Sequence, residues 1–131
     1  MALRQLFRRA SSRRISTMTA VTVARDTRAA RIDDLARPLA QKGEIVVAVR
    51  KFSFTANNIT YALAGDTLGY FDFYPCADEG RAMVPTWGTA EVVDSNVPGV
   101  AIGQGIYGFL PMAQYAGVCV NGFLIRGLTL C

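Results

Sequence analysis

Histidine is absent from the 131 residues. Its absence removes the usual neutral-pH proton carrier and the Ser-His and Cys-His catalytic pairs. Cysteine is sparse and dispersed, at Cys76, Cys119 and Cys131, with no CxxC pair. A structural zinc site uses about four Cys or His ligands in close pairs, so none is expected here. An odd cysteine count fits a reducing compartment. Acid is missing from both ends: no carboxylate side chain precedes Asp26 and none follows Asp94. The net charge of +4 is therefore uneven. Residues 1–25 carry +6 and residues 26–131 carry −2. The body offers no basic face, and a nucleic-acid partner is not expected. Charge of either sign is missing from residues 99–125. That run exceeds the ~20 residues a membrane helix needs. Gln104, Gln114, Asn121, Pro111 and six glycines interrupt it, which points to buried strands and not to a membrane span.

What remains has room for one domain. The first 20 residues read as a basic leader. Leu3, Leu6, Phe7 and Ala10 share one helical face, arginines lie off it, serines follow, and no acid occurs. That combination marks an organellar transit peptide, mitochondrial or other. The alternatives are a disordered basic tail, or initiation at Met18, with a cytoplasmic protein. The domain proper is expected over residues 21–116, and residues 117–131 form an apolar tail without a polar end.

Period-2 and period-3.6 patterns place the elements. Val21 to Arg25 fits a strand, while Ile32, Leu35 and Ala36 have helical spacing, with Asp33 set to pair Arg37 at i, i+4. Glu44 to Thr55 is the clearest strand, apolar on both faces. Thr55 to Ala64 changes period, with Ile59, Ala62 and Leu63 at i, i+3, i+4, N-cap residues before them and Gly65 as the stop. Residues 66–86 form an aromatic loop. Val84 to Asp94 and Ile106 to Leu110 read as further strands, separated by the Pro98-Gly99 turn.

Three groups of residues raise chemical questions. Gly103-Gln104-Gly105-Ile106-Tyr107-Gly108 matches G-x-G-x-x-G. A pyrophosphate cradle needs a preceding strand, a following helix and an acid about 20 residues later. Pro98 and Gly99 precede closely, Pro111 follows, and no acid comes after, so a glycine turn entering a strand is expected and no cofactor site. Asp66, Asp72, Glu91 and Asp94 are scattered, and nothing pairs two of them for acid-base or two-metal work. Thr55 to Tyr61 gathers two amides, two hydroxyls and a phenol at a helix start, where free N–H groups and the helix dipole can polarise a carbonyl. Capping alone accounts for one or two of them.

Several strings together resemble a known arrangement: Gly43 to Val49; Phe52-Ser-Phe-Thr-Ala-Asn-Asn-Ile-Thr-Tyr61; Gly65-Asp66; Gly69-Tyr70; Val84-Pro-Thr-Trp-Gly-Thr-Ala-Glu-Val-Val93; and Gly103 to Met112. They are similar to the N-terminal GroES-like domain of medium-chain dehydrogenases/reductases, and closest to an offshoot of unassigned function. The resemblance covers roughly residues 21–115. It implies a mainly β fold with short helices, an incomplete, partly open GroES-like barrel, and no Rossmann domain. It implies the substrate-side domain of an NAD(P)-dependent oxidoreductase-like protein, inactive as an isolated chain. Asn57, Thr60 and Tyr61 would then be the catalytic-side polar groups near a carbonyl. Asn57 matches the asparagine of the quinone-reductase Asn-Pro-x-Asp motif, whereas Asn58 and Thr60 depart from its proline and aspartate. Zinc-binding relatives carry Cys and His ligands at the corresponding loop, and this chain does not, so a zinc-independent protein is implied. NADP or NAD would belong to a full-length relative. Such relatives continue for about two hundred further residues, as domain sizes require, so a truncated or mis-spliced product is expected, or a tail that replaces a missing strand. An apolar face left exposed would favour self-association. The competing functions are a non-catalytic binding or scaffold module and a co-chaperonin-like ring subunit.

Overall fold

The computed structural model describes residues 16–120. The leader's apolar face and the tail beyond Val120 lie outside the described residues. Seven strands and one α-helix follow in chain order: β1 (Thr17–Ala24), β2 (Ala30–Ala36), β3 (Glu44–Phe52), α1 (Ala56–Leu63), β4 (Arg81–Ala82), β5 (Pro85–Ser95), β6 (Gly105–Pro111) and β7 (Tyr115–Cys119). A 3-10 turn, Tyr70–Asp72, interrupts the aromatic loop. The strands form two antiparallel sheets, β2-β1-β4 and β6-β5-β3-β7. This is the expected mainly β, partly open GroES-like architecture.

The two sheets meet along one backbone seam. Val21 N–H donates to Met112 C=O at 2.8 Å, and Gln114 N–H donates to Thr19 C=O at 3.0 Å. Val49 N–H donates to Gln114 C=O at 3.0 Å, and the Gln114 Oε1 accepts from Thr19 N–H at 2.9 Å. Segment 112–114 thus joins β1 of one sheet to β3 of the other. Behind it, Met18, Ile45, Val47, Val92, Leu110 and Val118 pack into the main core. A smaller cluster holds Val23, Phe71, Ala82, Val84 and Met112.

Three boundaries differ from the sequence reading. β1 begins at Thr17 and buries Met18 and Ala20, so residues 17–20 belong to the β domain. β7 runs through Cys119 and pairs with β3, which draws residues 117–119 of the apolar tail into the sheet. The helical spacing at Ile32, Leu35 and Ala36 is overturned. Residues 30–36 form β2, paired with β1 from Val23↔Ala30 to Thr17↔Ala36. Its inward positions are Asp33 and Leu35, while Ile32 is 73% exposed. A carboxylate on the inner face conceals the period-2 pattern.

Asp33 faces inward because it has partners there. The Thr22 hydroxyl donates to its Oδ2 at 2.5 Å, and Arg31 Nε donates to its Oδ1 at 2.7 Å. Arg81, buried to 9% exposure, lies 3.4 Å from the same carboxylate and donates to the Thr22 hydroxyl at 2.6 Å and the Thr22 carbonyl at 2.8 Å. This network ties β4, β1 and β2. Arg37, freed of the expected pairing, lies over the Tyr115 ring at 4.0 Å. The Thr22 hydrogen bond first, then Arg31, holds the Asp33 carboxyl below the usual range.

A depressed folded-state pKa stabilises the protein above the unfolded carboxylate pKa of about 3.9, and that contribution is lost as pH falls through the folded value. Asp33→Asn is therefore expected to lower the melting temperature at pH 7 and to flatten its decline between pH 5 and 3. Thermal melts across that range check it; parallel wild-type and variant curves would contradict it. Gly88 gives a second expectation. A Cβ there would lie 2.3 Å from the Lys51 carbonyl oxygen, which is backbone and cannot swing aside. Gly88→Ala should cost about 1–3 kcal/mol by overpacking, whereas Gly105→Ala, with open space around it, should cost well under that. Denaturant titrations of both variants give the comparison.

Candidate functional site

The chain leaves β3 at Phe52 and turns sharply, with Ser53 N–H donating to Trp87 C=O at 2.8 Å. Thr55, in extended conformation, is the N-cap of α1. Its N–H donates to Asn58 Oδ1 at 2.7 Å, the reciprocal contact of a capping box. Asn58 is buried, and its Nδ2 donates to the Pro85 carbonyl at 3.3 Å. One side chain therefore both caps the helix and fastens it to β5. Asn58 is structural, and the departure from the expected proline has a local cause.

Asn57, Thr60 and Tyr61 stand at i, i+3 and i+4, which places them on one face of α1. Asn57 and Thr60 are exposed, and neither side chain makes a hydrogen bond among the described residues. Tyr61 is half-buried and stacks on Tyr70, with ring centroids 4.2 Å apart. The structure thus brings the three sequence-predicted residues together, with the amide and hydroxyl free to donate and the phenol ring held by its neighbour.

Tyr61 also begins an aromatic shelf that the sequence reading missed. Its ring meets Phe109 edge-on at 6.0 Å. Phe109 contacts Phe73 at 5.5 Å and Trp87 at 4.1 Å, and Trp87 stacks on Tyr107 at 5.5 Å. The β5–β6 register sets Trp87 against Phe109 and Thr89 against Tyr107, so these rings share one sheet face. Trp87 is 43% exposed and Tyr107 64%. Outward aromatics on adjacent strands were the available signal. Near α1, Phe54, Ile59, Leu63 and Leu68 are exposed as well, an apolar border to the same region.

The glycine segment does not fit a dinucleotide. Gly103 N–H donates to Val92 C=O at 2.8 Å, and Gln104 N–H to Ala101 C=O at 3.2 Å. From Gly105 the chain enters β6 and pairs with β5 as far as Pro111, with no helix following among the described residues. The Gly103 and Gln104 amides are already donated to main-chain carbonyls, and the segment lacks the strand–turn–helix geometry that cradles a pyrophosphate. Of the four scattered acids, two are paired. Asp66 pairs with Arg25 and, at 3.7 Å, with Arg28, both guanidiniums lying against Phe71; Glu91 meets Arg50 at 2.9 Å. Among the described residues, no three His, Cys, Asp or Glu side chains converge on a common point. Burial pushes the Cys76 thiol up, and it pushes up the Tyr74 phenol, which donates to Phe109 C=O at 2.8 Å. Neither group is poised to exchange a proton near neutrality. No described helix is long and apolar enough to cross a membrane.

Two solved structures share this fold. The human synaptic vesicle membrane protein VAT-1 homolog-like protein is 20% identical over 79% of this chain and 33% of its own, with a TM-score of 0.53. The quinone oxidoreductase from Coxiella burnetii is 16% identical over 79% of this chain and 35% of its own, with a TM-score of 0.55. At such identities the likeness establishes the fold alone, and the chain spans about a third of the length of either neighbour. Among curated proteins, none matches at a significant level. A family model described as "Protein of unknown function (DUF2855)" matches residues 52–123, which include α1, the aromatic shelf and β4 to β7. More than half of its length lies within that match, and the chain belongs to the DUF2855 family.

Proposed function

We propose that this chain is the substrate-side domain of an NAD(P)-dependent oxidoreductase-like protein, and that it is inactive alone. The observation that carries the reading is the α1 face. Asn57 and Thr60 offer an unbonded amide and hydroxyl beside the half-buried Tyr61 ring, at the edge of an exposed aromatic shelf. Side-chain N–H and O–H groups at a helix start can donate to a carbonyl oxygen and strengthen as charge develops on it. Planar rings at Trp87 and Tyr107 can stack against a conjugated substrate. The Coxiella neighbour is a quinone oxidoreductase, which makes a quinone or related conjugated carbonyl the substrate class proposed here.

When bound, a nicotinamide cofactor supplies the hydride. Its binding is assigned to a further domain, a reading supported by the glycine segment, whose Gly103 and Gln104 amides already donate to main-chain carbonyls and which runs into a strand. The contribution of this chain is to orient the carbonyl and shield one side of it. Tyr61 acts chiefly through its ring, because stacking on Tyr70 fixes its position.

Duroquinone, whose ring positions are blocked against thiol addition, is the probe of choice. It should quench Trp87 fluorescence saturably. Tyr61→Ala should weaken binding by about 1–3 kcal/mol, the range for loss of a stacking and packing partner. The Asn57→Ala, Thr60→Ala double variant should lose about 0.5–1.5 kcal/mol per hydrogen bond. Quenching with unchanged affinity in the double variant would favour a non-catalytic binding module. Absence of saturable quenching would sink the substrate-side assignment.

A further inference from the structure

We propose a second, unassigned binding site, selective for a small amphiphilic anion such as an aryl or short alkyl carboxylate or sulfonate. It is an open groove of about 430 Å³ where the two sheets meet, in volume within the range of clefts that take a small organic ligand. Its apolar floor comes from Ala20, Val21, Val49, Met112 and Ala113. Arg50 and Lys51 form its lip, and no carboxylate lines it. The site shares no residue with the α1 face or the aromatic shelf, and it stands or falls independently of the function proposed above.

The lip depends on a defect in β3. Successive strand residues normally point to opposite faces. Here Val49 faces Ala90 and Lys51 faces Thr89, so Arg50 is an extra residue with no partner on β5. This bulge brings Arg50 and Lys51 to the same groove, the kind of re-aiming that bulges perform beside binding sites. Arg50 is held by Glu91 at 2.9 Å. Lys51 has no carboxylate partner among the described residues. Gln114 adds a donor: its Oε1 is occupied by Thr19 N–H, which leaves the Nε2 facing no protein acceptor among the described residues. Asp34 accepts from the Thr19 hydroxyl at 3.4 Å and does not line the groove. An apolar floor with an unneutralised ammonium and a free amide at its mouth fits an apolar body bearing one anionic head. A neutral ligand would gain nothing from the exposed Lys51 ammonium, whereas an anionic head gains a charge-assisted contact.

The test uses the full chain and two probes with the same aromatic body: 8-anilinonaphthalene-1-sulfonate, which is anionic, and N-phenyl-1-naphthylamine, which is neutral. The sulfonate should bind saturably at one site per chain. Lys51→Glu should weaken it roughly tenfold or more, and Lys51→Arg should stay within about twofold of wild type. The neutral probe should not distinguish wild type from Lys51→Glu. In wild-type protein, amide chemical-shift changes caused by the sulfonate should centre on Thr19, Val49, Lys51, Ala113 and Gln114; this map decides the matter even if the charge-reversed variant fails to fold. Unsaturable binding, equal sulfonate affinity in Lys51→Glu, or shift changes centred on Ile59, Trp87 and Tyr107 would overturn the proposal.

Discussion

The seam at Met112, Ala113 and Gln114 is the constraint on which the rest depends. A three-stranded and a four-stranded sheet, each open at its edges, would present unpaired N–H and C=O groups to solvent and to each other. The hydrogen bonds from Val21, Gln114 and Val49, with the Gln114 side-chain oxygen as an additional acceptor, close that gap. Once β1 and β3 are locked together, Met18 and Ala20 share one core with Val47 and Val92. The groove proposed as an anion site is what the seam leaves unfilled on its outer side, beyond Ala20 and Ala113.

The same logic positions the candidate site. β3 delivers the chain to the turn at Ser53, Gly88 lets the β3 and β5 backbones approach closely, and Asn58 fixes the helix start onto Pro85. The proposed chemistry rests on a division of labour between adjacent amides. Asn58 is used for structure, while Asn57, one position earlier, stays exposed with no side-chain hydrogen bond among the described residues. A helix this short, eight residues, has little stability of its own. Its fastening to β5 is what makes a defined face of Asn57, Thr60 and Tyr61.

Much of this was legible in the sequence, and the illegible parts have physical reasons. The switch from period 2 to period 3.6 at Thr55 and the stop at Gly65 located α1 within a residue or two. β3 and β5 showed as apolar runs because they lie centrally in their sheet, and β6, at its edge, showed through Ile106, Phe109 and Leu110, of which Leu110 is fully buried. β2 did not show, because its inward positions hold Asp33 and Leu35 and its large apolar residue, Ile32, faces out; no local pattern reveals a carboxylate held by Arg81 from some fifty residues away. Residues 66–86 read as loop, yet Phe71 and Tyr74 are buried and Arg81 joins a sheet. The glycine motif was legible as a turn from Pro98, Gly99 and Pro111 alone. The aromatic shelf was not, since it depends on the β5–β6 register, which a single strand's sequence does not specify.

The central claim is that this fold presents a carbonyl-facing surface while its glycine segment serves the sheet and not a dinucleotide. Titration of the purified chain with NADPH, followed by the fluorescence of Trp87, tests that claim most directly. The account predicts no saturable change up to millimolar cofactor. Saturable binding in the micromolar range, abolished by Gly105→Trp with the fold intact, would contradict it.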